Sequence, residues 1–251
     1  MEIVLNMVAF AFGAIFGSFY NVVIYRLPRK LSISKGTSFC PQCKHRIMPL
    51  ELIPIVSFIF LRGKCAHCHT PISFRYPLIE FITGLTFMLS YLRFGLSYST
   101  LVAMILASLC IIVAMIDFDT MEIYDRFNIM ILLLALISMI GLSPLPLTDH
   151  IIGFFVISVP LYIIAIITNG IGGGDIKLMA VSGLLLGYQA TLIAFFIGAI
   201  LGGSMAIYLL VTKQTQMKSL IAFGPYLCVG IFTSYLYGLE IFNWYLNLFR
   251  I

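Results

Sequence analysis

Apolar residues run along this chain in long stretches, near 3–25, 77–95, 98–116, 127–143, 151–168, 176–187, 190–211 and 220–246. A helix needs about 20 apolar residues to cross a bilayer, so the pattern predicts about eight transmembrane helices. The 176–187 stretch is short for a span of its own, and seven is the alternative count. One long polar segment interrupts the pattern, at 26–76. The chain therefore reads as a first transmembrane helix over 1–25, a polar module over 26–76 and a helical membrane core over 77–251. The first stretch lacks a basic region ahead of it, and the "GSFYNVVIYRLPRK" that closes it does not look like a cleavage site. It reads as a first span rather than a signal peptide.

Composition agrees with an all-α integral membrane protein. Hydrophobic residues make up 61% of the 251, charged residues 10%, and the mean hydropathy is +1.07. A soluble domain is nearer half apolar and a quarter charged. With the N-terminus outside, the segments 26–76, 117–126, 169–178 and 212–219 face the cytoplasm and carry thirteen of the fifteen Lys and Arg residues. Arg93 and Arg250 alone fall elsewhere, so the excess of inside positive charge selects this orientation. The net charge of +5 then reflects topology and contact with an anionic lipid bilayer rather than nucleic-acid binding.

The cytoplasmic module holds "CPQCKHR" and, further on, "CAHC". Two CxxC pairs at this separation make a zinc-ribbon pattern, in which Cys40, Cys43, Cys65 and Cys68 complete a tetrahedron around a structural Zn2+. A disulfide pair is the competing reading, and a reducing cytoplasm disfavours it. A closed four-sulfur site has no place for a catalytic water, so the metal staples a segment too small to have a core. His45, His67 and His69 read as polar surface around this site. Cys110 and Cys228 lie within apolar stretches and read as small packed residues.

Acidic residues number ten, and five fall in two short segments: Asp117, Asp119, Glu122 and Asp125 in "MIDFDTMEIYDR", and Asp175 in "GGGDIK". Asp117 ends an apolar stretch and Asp175 begins one, both at the same membrane face. Ionisable groups there are tolerated toward a bundle interior or a watery cavity. Two carboxylates in one cavity cannot both ionise cheaply, so a pair holds one proton between them. That state suits peptide hydrolysis: one member takes a proton from water while the other donates to the carbonyl. The glycines before Asp175 are expected to allow positive φ and close approach of a substrate strand. The plainer readings are a helix N-cap for Asp175 and an interfacial anchor for Asp117.

In order along the chain stand "GSFYNVVIYRLP", "CPQC", "CAHC", "RYPLIE", "IDFDTMEIYD", "GGGDIKL" and "FGPYL". Together they resemble the bacterial type IV prepilin peptidases, leader peptidase/N-methyltransferases of the GxGD class of intramembrane aspartic proteases, over residues 17–227. The resemblance implies that Asp175 of the GxGD motif pairs with Asp117, the first acid of the earlier stretch, as catalytic residues. Asp119 and Asp125 match later acids of that stretch. On a helix Asp117 and Asp119 point about 200° apart, so at most one faces Asp175.

The resemblance also implies an activity. Such enzymes, in the bacterial inner membrane, cut a basic leader from prepilins or pseudopilins at the cytoplasmic face and then methylate the new N-terminus from S-adenosylmethionine. It points to Gly63 and Lys64 in "RGKCAHC" for the methyl donor. Asn21, Arg26 and Glu80 either line that site or serve at helix ends. No Rossmann-type glycine loop is present. The chain departs from the family at Tyr124 and Ala222, where proline is usual. A proton-coupled transporter using intramembrane acids is the alternative from another class, although no inverted repeat is visible and the acids cluster at one face.

Overall fold

The computed structural model describes residues 2–33, 38–40, 42–140, 145–168, 170–212 and 221–248. Lys35, Lys213, Lys218 and Arg250, counted above for topology, lie outside the described residues, as does Pro41 of "CPQC". Regular structure among the described residues is helical, apart from two isolated β-bridges. The chain divides into two compact units, Met1–Thr100 and Leu101–Ile251.

In the first unit α1 (Glu2–Arg26) packs along α3 (Arg75–Phe94), with the short α2 (Val56–Phe60) in the polar module. Gly13 and Gly17 stand four apart on α1, the spacing that brings membrane helices into backbone contact. A Cβ on Gly17 would lie 2.7 Å from the Glu80 Cα and 2.9 Å from the Thr83 hydroxyl, so this crossing requires glycine. The Asn21 amide ties the ends together, donating to the carbonyls of Gly17 and Tyr76 at 3.2 Å each.

The polar module is built from two similar knuckles. The Cys40 N–H donates to the His45 carbonyl at 3.0 Å and the Cys65 N–H to the Thr70 carbonyl at 2.9 Å. The residue after each CxxC, Lys44 and His69, is left-handed, at φ 60° and 57°. Bridges Phe39–Arg46 and Lys64–Pro71 close the two loops.

The second unit contains α4 (Tyr98–Thr120), which starts at the division, then α5 (Asp125–Met139), α6 (Leu147–Val156), α7 (Ser158–Thr168), α8 (Gly173–Leu186), α9 (Tyr188–Val211) and α10 (Gly224–Leu248). Pro160 explains the break between α6 and α7: it has no N–H for the Val156 carbonyl and its ring crowds that turn. Helix α8 is the hub, packed by α5, α6, α7, α9 and α10. Its 14 residues rise about 21 Å, less than the hydrocarbon core of about 30 Å. Beyond Lys177 it is apolar apart from Ser182 because protein surrounds it: Leu178, Met179 and Ser182 are fully buried. Gly153 of α6 and Gly183 of α8 face each other's carbonyls so closely that a Cβ on either would clash. The His150 ring meets the Leu184 carbonyl at 2.7 Å and pins the same pair.

Among the described residues each of the eight apolar stretches contains a helix, the fifth being the broken pair α6–α7. Among the described residues four helical segments are long and apolar enough to cross a membrane: Glu2–Arg26, Tyr98–Thr120, Leu147–Thr168 and Tyr188–Val211. Outward-facing Ile163, Ile164, Ile166 and Ile167 on α7 would be costly in water and suit lipid.

Candidate active site and metal centre

Asp117 lies in the last turn of α4 and is only 5% exposed. Its Oδ2 accepts the N–H of Gly224, the first residue of α10, at 3.0 Å. The first N–H groups of a helix have no intrahelical partner and carry the positive end of its dipole, so Asp117 caps α10 from another helix. A Cβ on Gly224 would stand 2.7 Å from that oxygen. Only glycine leaves the contact intact.

Asp175 lies in the first turn of α8, close enough to Asp117 for the two charges to interact. Its Oδ1 is buried without a hydrogen-bond partner. The helix cap is Gly172, not Asp175. The expectation of positive φ in the glycine run fails: Gly172 has φ −67° and ψ 137°, and Gly173 and Gly174 are helical. At Gly174 the value is thinness. A Cβ on Gly174 would stand 2.8 Å from the Ile123 Cβ, and one on Gly224 would be 3.2 Å from the Ile123 Cδ1. Ile123, in the loop after α4, therefore fits between the two helix starts because both present bare backbone.

The other acids point elsewhere. Asp119, Glu122 and Asp125 are exposed, as the helical angle between Asp117 and Asp119 requires. Asp125 accepts from Lys177 Nζ at 2.8 and 3.0 Å on the protein surface. Asn128, one turn further along α5, is 4% exposed with both side-chain polar atoms unpartnered.

The sulfur atoms of Cys40, Cys43, Cys65 and Cys68 lie within 4.8 Å of one another, with Cys40 and Cys68 at 3.8 Å. A tetrahedron with Zn–S bonds of about 2.3 Å has edges of about 3.8 Å, so the four thiols fit a zinc ion. The knuckle amides prepare them for it. N–H groups of Cys43 and Gln42 lower the Cys40 thiol, and the Thr70 hydroxyl and N–H lower Cys68 to about 6. The His45 N–H pulls Cys43 down, but burial and the neighbouring thiols outweigh it and leave it raised to about 11. His45 and His67 stack at 4.5 Å between ring centres, outside the sulfur cluster. Cys110 and Cys228 are buried within the second unit.

A cavity of about 890 Å³ opens within the first unit, a size that suits a cofactor-sized ligand. Asn21, Arg26, Glu51 and Glu80 are among its polar residues, beside apolar ones such as Val22, Phe58 and Ile72. Gly63 and Lys64 are not on its wall; Leu61 and Cys65 on either side of them are. Gly63, at φ 68°, backs the wall: a Cβ there would be 3.0 Å from the Phe58 ring, and its carbonyl accepts from the Ile72 N–H at 2.7 Å. The "FGPYL" motif gives Gly224 no role by itself. The Gly-Pro step marks a helix start with a free N–H, but nothing local says which acid that N–H meets.

The chain matches two family models, the bacterial peptidase A24 N-terminal domain over residues 11–94 and the type IV leader peptidase family over residues 104–207. It is 38% identical over 247 residues to a prepilin leader peptidase/N-methyltransferase of Bacillus subtilis (strain 168), covering 96% of this chain and 98% of that protein. Proteins of the same name from Neisseria gonorrhoeae and Aeromonas hydrophila are 34% and 32% identical, over 94% and 96% of this chain and 92% and 93% of their own lengths. No solved structure matches.

Proposed function

This chain belongs to the type IV leader peptidase family, and from that premise we propose that it is an integral-membrane aspartic endopeptidase and N-methyltransferase of prepilins or pseudopilins. The proximity of Asp117 and Asp175, with Gly224 capping the first, carries the peptidase reading. The Gly224 N–H stabilises a carboxylate, so Asp117 is the ionised member and takes a proton from the attacking water. Asp175, whose Oδ1 has no protein partner, is the protonated member and donates to the scissile carbonyl oxygen. The tetrahedral intermediate collapses as Asp117 returns its proton to the leaving amine and Asp175 recovers one from the intermediate's hydroxyl. Asp125 and its ion pair with Lys177 stay outside this exchange.

The helical stretches lie in the bacterial inner membrane, the short α8 held inside the bundle, with the N-terminus outside and both the zinc module and the dyad at the cytoplasmic face. The excess of inside positive charge supports that topology. The zinc held by Cys40, Cys43, Cys65 and Cys68 is structural. The module at 26–76 serves methyl transfer, and the helices of 77–251 contain the peptidase core. S-adenosylmethionine supplies an activated methyl group, and the first-unit cavity is where Asn21 and Arg26 would hold it, with Gly63 and Lys64 shaping and flanking the wall. Positioning the amine in line with the methyl supplies most of the rate. Family membership leaves the transporter alternative without support.

The test is incubation of the purified protein with a prepilin-like peptide, with and without S-adenosylmethionine, and mass measurement of both products. Cleavage without the donor and an added methyl with it are expected. An intact peptide would overturn the peptidase reading.

A further inference from the structure

Glu80 is a carboxylate only 8% exposed, and among the described residues no cation stands beside it. Its Oε2 accepts the Ile55 N–H at 2.7 Å, and the Ser18 hydroxyl also bonds it. These donors are neutral. A buried charge with neutral partners only is costly, and a cation arriving from outside would relieve that cost.

The surroundings hold this carboxylate in place. Ile55 has φ 62° and ψ −50°, a conformation that a β-branched residue avoids. That conformation puts its N–H on Glu80. Behind Glu80, the bare Gly17 backbone lets α1 press against its Cα. Glu80 lines the cavity described above, together with the charged Arg26 and Glu51. Those two have neighbours of their own: the Arg26 guanidinium donates to the Ser32 carbonyl at 3.0 Å and Glu51 accepts the Met48 N–H at 2.8 Å.

Building on the methyl-transfer reading, we propose that Glu80 receives the α-ammonium group of the cleaved substrate in this cavity and accepts its proton. The apolar walls suit the apolar segment that follows such an N-terminus. The ammonium passes one proton to the Glu80 carboxylate. The nitrogen lone pair then forms a bond to the methyl carbon as the methyl–sulfur bond breaks, its electron pair staying on sulfur. The sulfonium becomes a neutral thioether, the product is a secondary ammonium, and the proton on Glu80 leaves to water.

The test compares Glu80→Gln with the wild-type full chain, because glutamine keeps an oxygen for the Ile55 N–H. Binding is measured for an apolar decapeptide with a free α-amino group, for its N-acetyl twin, and for S-adenosylhomocysteine. Wild-type protein should prefer the free amine at least tenfold, and E80Q should lose that preference with zinc content, prepilin cleavage and S-adenosylhomocysteine affinity unchanged. No preference in wild-type protein, or a preference retained in E80Q, overturns the assignment. An E80Q protein that keeps the preference and loses S-adenosylhomocysteine instead assigns Glu80 to the donor, which also overturns it. Wild-type protein that cleaves prepilin but transfers no methyl overturns the underlying reading, and the binding comparison is scored independently of it.

Discussion

The Gly224 N–H donates to Asp117 Oδ2 at 3.0 Å across 107 residues of chain, and a Cβ at Gly224 would stand 2.7 Å from the same oxygen. The bond and the bare backbone are one device: the α10 start can reach the acid only without a side chain. Gly224→Ala should lower prepilin cleavage by about ten- to a hundredfold, the loss expected for a hydrogen bond to a charged group. Substrate binding and melting temperature should change far less. Cleavage kinetics within twofold of wild type would remove Gly224 from the site.

Asp117→Asn and Asp175→Asn should each reduce cleavage by at least about a thousandfold, since neither asparagine can exchange protons with the other member. Methylation of a pre-cleaved peptide should persist in both variants. Processing by either mutant would exclude that residue from the dyad.

Lys177→Ala should change little. The Lys177 and Asp125 side chains are 57% and 63% exposed, and such a pair contributes about 0–1 kcal/mol. Cleavage within threefold of wild type and an unchanged melting temperature are expected. A large loss of activity would place Asp125 or Lys177 in contact with substrate.

Zinc uptake by metal-free protein at pH 7.5 should release fewer than four protons per ion, because Cys68, lowered to about 6, is already a thiolate there. Affinity should fall as pH drops toward 6, where protons compete for that sulfur. Calorimetry in buffers of different ionisation enthalpy counts the protons directly. Chelation should disturb the 40–68 knuckles and methylation before it disturbs cleavage.

Gly17→Val should separate α1 from α3, because its side chain would meet the Glu80 backbone and the Thr83 hydroxyl. Overpacking of this kind costs about 1–3 kcal/mol. Methylation should fall more than cleavage, since Glu80 and the cavity move with α3. Equal losses of the two activities would contradict that division.

What the sequence determined by itself is local. Uninterrupted apolar stretches set eight helical segments, because lipid demands that each backbone polar group be satisfied within its own helix. The CxxC spacing set the knuckles and the four sulfurs, since each pair sits within one turn. Residue chemistry and motif order narrowed the acids to Asp117 and Asp175. Tertiary structure decided what depends on distant segments meeting. It put Gly224 on Asp117 and gave Ile123 its place between two helix starts. Asn21, Arg26 and Glu80 came to line one cavity, while Gly63 and Lys64 stayed out of its lining. It also turned the glycine run from a flexible turn into a helix start whose Gly174 must stay bare, because Ile123 packs against it. Helix formation is dictated within a few residues, but the partner of a buried carboxylate is chosen by packing over the whole unit.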